Sequence, residues 1–281
     1  MGVMPGDPLR VQFGGNAVLI LCDDGALRQS LHQHFRHCLR DTASAVVTYR
    51  VTAEEDEVVQ LLRDGEPLYR GPRSPYLVEC LMQDLTVALT THCRQHLAFH
   101  AAGLARGESG LILCGGTGSG KSTLAAWLTA SGLDFLTDEL VGVPLDLSEM
   151  SGLARPIGLK AGSAFVWQRW LDETAGQSLT RFPNGAVLLD PEHLRPRCVR
   201  ASADPQILLF PRYAPDEPFV AQRLSTAEAL FHLMHRLINA KNLPDHGFEA
   251  ATRLARQTTA YSLTYADIVS VADWIEQADW L

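Results

Sequence analysis

The sequence predicts an α/β chain, with a mixed-sheet α/β domain over residues 97–281 and an N-terminal α+β subdomain over residues 1–96. Three observations carry this. Along the 281 residues, aliphatic and β-branched runs of strand length alternate with segments of helical period. Between Ala98 and Cys114 two apolar runs are joined only by Gly107-Glu108-Ser109-Gly110. They must run antiparallel, because a parallel return needs a crossover of about a dozen residues or more. The second run leads into a Gly-rich turn and then an apolar helical segment, the strand, turn and helix order of an α/β unit.

Residues 9–22 read as strand. Gly25 to Leu39 carries Leu27, Leu31, Phe35 and Leu39 at helical spacing, an amphipathic helix. Ser44 to Thr52 is β-branched and strand-like. Val58 to Leu62 and Pro67 to Gly71 flank Arg63-Asp64-Gly65-Glu66, in which Asp-Gly supplies the left-handed residue of a tight hairpin. Ser74-Pro75 opens a long helix marked by Leu77, Leu81, Leu85 and Leu89. After the central hairpin and the Gly-rich turn, a helix runs from Lys121 to a turn at Ser131-Gly132, followed by another strand. Beyond Pro144 the pattern predicts strands at Ala186–Leu189, Ile207–Phe210 and Ser262–Thr264, with helices from Ser225 to Ala240 and from Asp267 to Gln277.

The composition is that of an ordinary soluble globular chain, with 46% hydrophobic and 20% charged residues. A net charge of −8 argues against a protein that binds duplexes by neutralising phosphates, so no nucleic-acid partner is expected. The opening MGVMPGDPLR lacks the basic and apolar regions of a secretory signal. Ala17–Cys22 is too short to span a membrane, and Gly6 stands where myristoylation wants Ser or Thr. A cytoplasmic protein with no membrane partner is expected. Six cysteines without a CxxC pair fit reduced, buried thiols. The sequence leaves room for a homo-oligomer.

Gly115-Gly116-Thr117-Gly118-Ser119-Gly120-Lys121-Ser122 satisfies the Walker A pattern G-x-x-x-x-G-K-S between an apolar strand and a helix, as a P-loop requires. Glycines let backbone N–H groups close around phosphate oxygens, and the helix N-terminus adds partial positive charge. Lys121 reaches the terminal phosphates, and Ser122 can bind Mg²⁺. Asp138 follows Lys121 by about one helix and a turn. At a strand end beside the loop it can hold Mg²⁺ or accept a proton from an attacking hydroxyl. Glu139 directly follows and points the other way on an extended chain. Centring the hairpin turn near Ser109 or Glu108 pairs Cys114 with Ala102 and Gly116 with His100, which sets His100 beside the mouth of the loop; a packed strand histidine is the plain alternative. Of 24 basic residues only Lys121, Lys160 and Lys241 are lysines, so Lys160, between Gly158 and Gly162, marks a place where a compact ammonium suits phosphate.

The order His100, then Gly115 to Ser122, then a strand ending in Asp138-Glu139 resembles the catalytic domain of HPr kinase/phosphorylase. It resembles the HPr-kinase-related kinases more closely still, and their fold is likened to a phosphoenolpyruvate carboxykinase core. Arg155-Pro156-Ile157-Gly158-Leu159-Lys160 and Phe210-Pro211-Arg212 are similar to segments of those related kinases. The resemblance implies a P-loop kinase core of the HPr kinase C-terminal domain type. It also implies an ATP- and Mg²⁺-dependent phosphotransferase acting on a hydroxyl, serine of a protein or peptide first. In that reading Asp138, His100 and Lys121 are catalytic. Gly115, Gly116, Thr117, Gly118, Ser119, Gly120, Lys121, Ser122 and Thr123 hold the nucleotide, joined by Arg155 and Lys160, while Ser122, Asp138 and Glu139 face the metal. The family's acidic pair is two aspartates and here is Asp-Glu. Kinase action on a small hydroxylated molecule, and a regulatory ATPase with no acceptor, stay open as alternatives.

His32, His34, His37 and Cys38 lack a second ligand pair at zinc-like spacing and read as a solvated helix face. The pairs His92 with His96 and His232 with His235 read as structural.

Overall fold

In the computed structural model, which describes residues 7–54, 57–171 and 179–278, the stretch expected as one strand is two. β1 (Leu9–Phe13) and β2 (Asn16–Cys22) pair antiparallel about Gly14-Gly15, whose φ values of 58° and 81° form the left-handed turn that two glycines adopt without strain. α1 (Gly25–Phe35) starts where the Asp24 side chain accepts a hydrogen bond from Leu27 N at 2.6 Å, and it buries Leu27, Leu31 and Phe35. It stops short of the expected Leu39, because Leu39 leaves the helix to bridge Val11 of β1.

β3 (Ala45–Ala53) lies parallel to β2. β4 (Val58–Arg63) and β5 (Glu66–Pro72) form the expected hairpin, with Asp64 and Gly65 at φ 50° and 92°. α2 (Pro75–His92) buries the leucines at 77, 81, 85 and 89. The sheet order is β1-β2-β3-β4-β5, and this first compact unit ends at Arg94.

The second unit begins at Gln95. β6 (His96–Arg106) and β7 (Ser109–Cys114) form the central hairpin, and the Gly-rich turn leads into α3 (Lys121–Ala130). β8 (Asp134–Thr137), β9 (Leu140–Pro144) and β10 (Met150–Gly152) follow. β11 (Ile157–Leu159), β12 (Thr180–Arg181) and β13 (Val187–Leu189) make a small antiparallel sheet, with α4 (Ala164–Trp170) and α5 (Pro191–Leu194) alongside in sequence. The chain then forms β14 (Ser202–Tyr213), β15 (Val220–Arg223), α6 (Thr226–Met234), α7 (Phe248–Gln257), β16 (Thr259–Tyr265) and α8 (Ile268–Gln277).

The large sheet has the order β10-β9-β6-β7-β14-β16-β15, with β8 also pairing β6. It is mixed: β14 runs parallel to both β7 and β16, and the other pairings are antiparallel. Leu97, Phe99, Ala101, Ile112 and Cys114 from the central hairpin pack with Leu233, Leu237 and Leu254 in its core. Among the described residues no helix is long and apolar enough to cross a membrane, and all six cysteines are unbridged.

Two further expectations need correction. The central hairpin closes through a two-residue turn, Gly107-Glu108, with Arg106 opposite Ser109. The register is therefore one residue off the expected one, and Cys114 faces Ala101 rather than Ala102. The helix from Ser225 is started by a capping box between Ser225 and Glu228, but it ends at Met234 and not near Ala240. It ends there because Leu237 bridges Phe99 and Ile238 N donates to Ala98 O at 2.9 Å, pulling the chain onto β6.

Candidate active site

The turn after β7 is built to hold its backbone close to something. Gly118 and Gly120 sit at φ 84° and 87°, a region that favours glycine. A Cβ on Gly115 would strike the Ser119 hydroxyl, and one on Gly120 would strike the Tyr265 hydroxyl. Tyr265 donates its hydroxyl to Ser119 O at 3.0 Å, which ties the turn to the end of β16. Ser119 Oγ is buried without a partner, as suits a loop shaped around a ligand.

Lys121, 7% exposed, folds back onto this turn, and its Nζ donates to Gly115 O at 2.8 Å and to Gly116 O at 3.5 Å. Burial lowers its pKa and Arg236 pushes the same way, against the attraction of Glu139. Ser122 follows in the first turn of α3, and Thr123 Oγ1 lies 2.7 Å from Ser163 Oγ.

Thr137, the last residue of β8, shapes the acidic corner. Its hydroxyl donates to Leu153 O at 3.0 Å and accepts from Glu139 N at 3.1 Å and Leu140 N at 3.2 Å. Asp138 is 3% exposed. Its Oδ2 accepts from Gly158 N at 3.2 Å, the Ser122 hydroxyl is near enough to favour the ionised carboxylate, and Oδ1 is buried without a partner. Burial raises the Asp138 pKa and Glu139 adds to the rise, while Arg155, the Gly158 N–H and Ser122 oppose it.

Glu139 is engaged at both oxygens, by His100 Nδ1 at 3.2 Å and by Arg155 Nη2 at 2.9 Å. Burial pushes its pKa up, but His100 and Arg155 outweigh that and hold it below the usual glutamate range. The carboxylate with an uncommitted oxygen is thus Asp138, and Glu139 serves as the link between His100 and Arg155.

His100 reaches the site by a route other than the expected one. Phe99 and Ala101 point into the core with Leu233 and Leu237, so His100, alternating with them, projects to the opposite face of β6. α3 packs against that strand. On that face His100 lines the same cavity as the loop.

These groups line a cavity of about 810 Å³, within the range of about 300–1,000 Å³ usual for small-molecule sites. Gly116, Thr117, Gly118, Gly120, Lys121, Ser122 and Thr123 form one side of it, and His100, Asp138, Glu139 and Lys160 also face it. Gly115 and Ser119 shape the loop from behind. Arg155 does not line the cavity. At 12% side-chain exposure it pairs with Glu139 and influences Asp138 electrostatically.

The rest of the wall was not found from the sequence. Trp127 and Phe165 stand 6.2 Å apart, Tyr213 and Tyr265 pack edge to face at 5.7 Å, and Ile268 and Val269 begin α8 beside them. Phe165 and Tyr213 are 49% and 50% exposed, so flat apolar surface is left open on the cavity side of a polar loop. Only Trp127 had a local signal, as an aromatic on the helix that follows the loop.

Chemically, the corner offers a buried carboxylate with an uncommitted oxygen, a hydroxyl beside it and backbone N–H groups with a lysine for an anion. The Asp138 and Ser122 oxygens are a hard donor set that suits Mg²⁺. The orphaned Asp138 Oδ1 is what such an ion or an acidic proton would satisfy.

No protein-family model and no curated protein sequence matches the chain. Among solved structures, the HPr(Ser) kinase/phosphatase from Coxiella burnetii is similar over 64% of this chain and 93% of its own, at 9% identity and a TM-score of 0.30.

Proposed function

We propose that the chain is an ATP- and Mg²⁺-dependent kinase that transfers the γ-phosphoryl group to a hydroxyl, with serine of a protein or peptide as the first acceptor to test. The observation that carries this is Asp138: a buried carboxylate, bonded by Gly158 N–H, with its other oxygen free beside a phosphate-type loop. A sensor needs only the loop. A base placed next to it serves the attack of a hydroxyl or water on the γ-phosphorus.

In this reading Gly115–Thr123 and Lys121 hold the phosphates, and the exposed aromatic walls take the base. Ser122 and Asp138 would hold Mg²⁺, which supplies charge neutralisation on the transferring group. Asp138 takes the proton of the attacking hydroxyl as its oxygen bonds to the γ-phosphorus and the bond to the bridging oxygen of ADP breaks. His100, held at Nδ1 by Glu139, keeps Nε2 for the phosphoryl oxygens.

The test is γ-labelled ATP with Mg²⁺ and a serine-containing peptide library, read by mass spectrometry. Label on a peptide serine is the expected result, and label only as free phosphate with every acceptor overturns the reading. Asp138→Asn should keep ATP binding and lose transfer by about 100-fold or more.

A further inference from the structure

We propose that Arg236 binds the terminal phosphoryl group and makes the site prefer a triphosphate to a diphosphate; this rests on the nucleotide reading above. Arg236 lies 115 residues beyond Lys121 in the sequence, just past the end of α6. The pull of the chain onto β6 that ends this helix also fixes Arg236. His100 N donates to Arg236 O at 3.0 Å, and the next two residues are pinned to Phe99 and Ala98. Arg236 and His100 are thus anchored to each other through the main chain.

The guanidinium reaches the loop. A Cβ built on Gly116 would lie 3.3 Å from Arg236 Nη2 and 3.9 Å from Cζ and Nη1. Lys121 Nζ approaches the same residue, 3.5 Å from Gly116 O. Two cations therefore converge on one point of the turn. Among the described residues no carboxylate pairs with Arg236, whereas Arg155 of the same site is paired with Glu139.

Two neighbouring like charges with no anion between them repel. An anion placed at Gly116 removes that repulsion. A planar guanidinium can meet two phosphate oxygens at once, which a second lysine cannot. Because Lys121 and the loop serve the inner phosphates as well, the contact unique to Arg236 falls on the outermost one.

Calorimetric titration of the full chain with ATP and with ADP, each with Mg²⁺, tests this in wild type, Arg236→Ala and Arg236→Gln. Loss of one charge-assisted phosphate contact should weaken ATP by about 10- to 100-fold. ADP should change little in both variants, and retained ADP binding also shows that the variants fold. Equal losses for the two nucleotides, or no loss for either, would overturn the assignment. Wild-type protein that takes up neither nucleotide overturns the nucleotide reading itself, and this inference falls with it.

Discussion

Asp138 has to satisfy two opposed demands. As the proposed proton acceptor it must be ionised, yet it is buried where the charged form is disfavoured. Its folded-state pKa lies above the ordinary aspartate value of about 3.9. The folded protein therefore holds this proton more tightly than the unfolded chain does, and stability is lost as pH rises from the unfolded pKa through the folded one. Asn has nearly the shape of the protonated acid and carries no charge. Asp138→Asn should then raise Tm at pH 7, with the gain shrinking as pH is lowered through that window; thermal unfolding at several pH values checks it. The variant that loses transfer should be the more stable protein. Asp138 was legible because the helix between loop and strand has a fixed length. Arg236 was not, since nothing local marks an arginine that far along the chain as a neighbour of Gly116.

β6 is the element on which the site is assembled. It pairs with β7, β8 and β9, so it sits between the phosphate-type loop and the acidic corner, and it takes Leu237 and Ile238 on the stretch that holds His100. Its hairpin was readable from turn length, but its register was not. Whether two or four residues form a turn changes the pairing by a fraction of a turn's length, and only the closed ladder decides it. The short strands β10, β11 and β12 carry too few residues to show a period, and α7 buries mainly alanines, which give a faint apolar signal. Gly152 of β10 shows how closely these pieces approach: a Cβ there would lie 2.5 Å from Leu136 O and 2.7 Å from Thr137 Cβ. Gly152→Ala should cost about 1–3 kcal/mol. The strain falls on the end of β8 that aims Asp138, so transfer should drop more than ATP affinity, as urea unfolding and nucleotide titration would show.

For the whole molecule, the residues singled out for function, from His100 to Lys160, together with Arg236, all lie in the unit from Gln95 to Leu281. A protein of residues 95–281 alone should bind ATP with an affinity within about threefold of the full chain, the spread of context effects on a single interaction. Calorimetry on the two proteins checks this, and loss of binding would make the first unit part of the nucleotide site. The net charge of −8 makes the local cluster of Lys121, Arg155 and Arg236 stand out against an acidic background. Of these three, Arg155 is neutralised by Glu139.

The mixed α/β class, the loop from Gly115 to Ser122, the Asp138-Glu139 corner and most long elements follow from near neighbours along the chain, because periodicity, glycine conformations and helix length act over a few residues. The partners of those residues do not. That His100 faces α3, that Glu139 joins it to Arg155, that Tyr265 braces the loop and that Arg236 meets Gly116 all depend on strand register and on segments tens of residues apart. Those contacts form only when the sheet closes and each side chain is committed to one face, and no local rule along the chain encodes that choice.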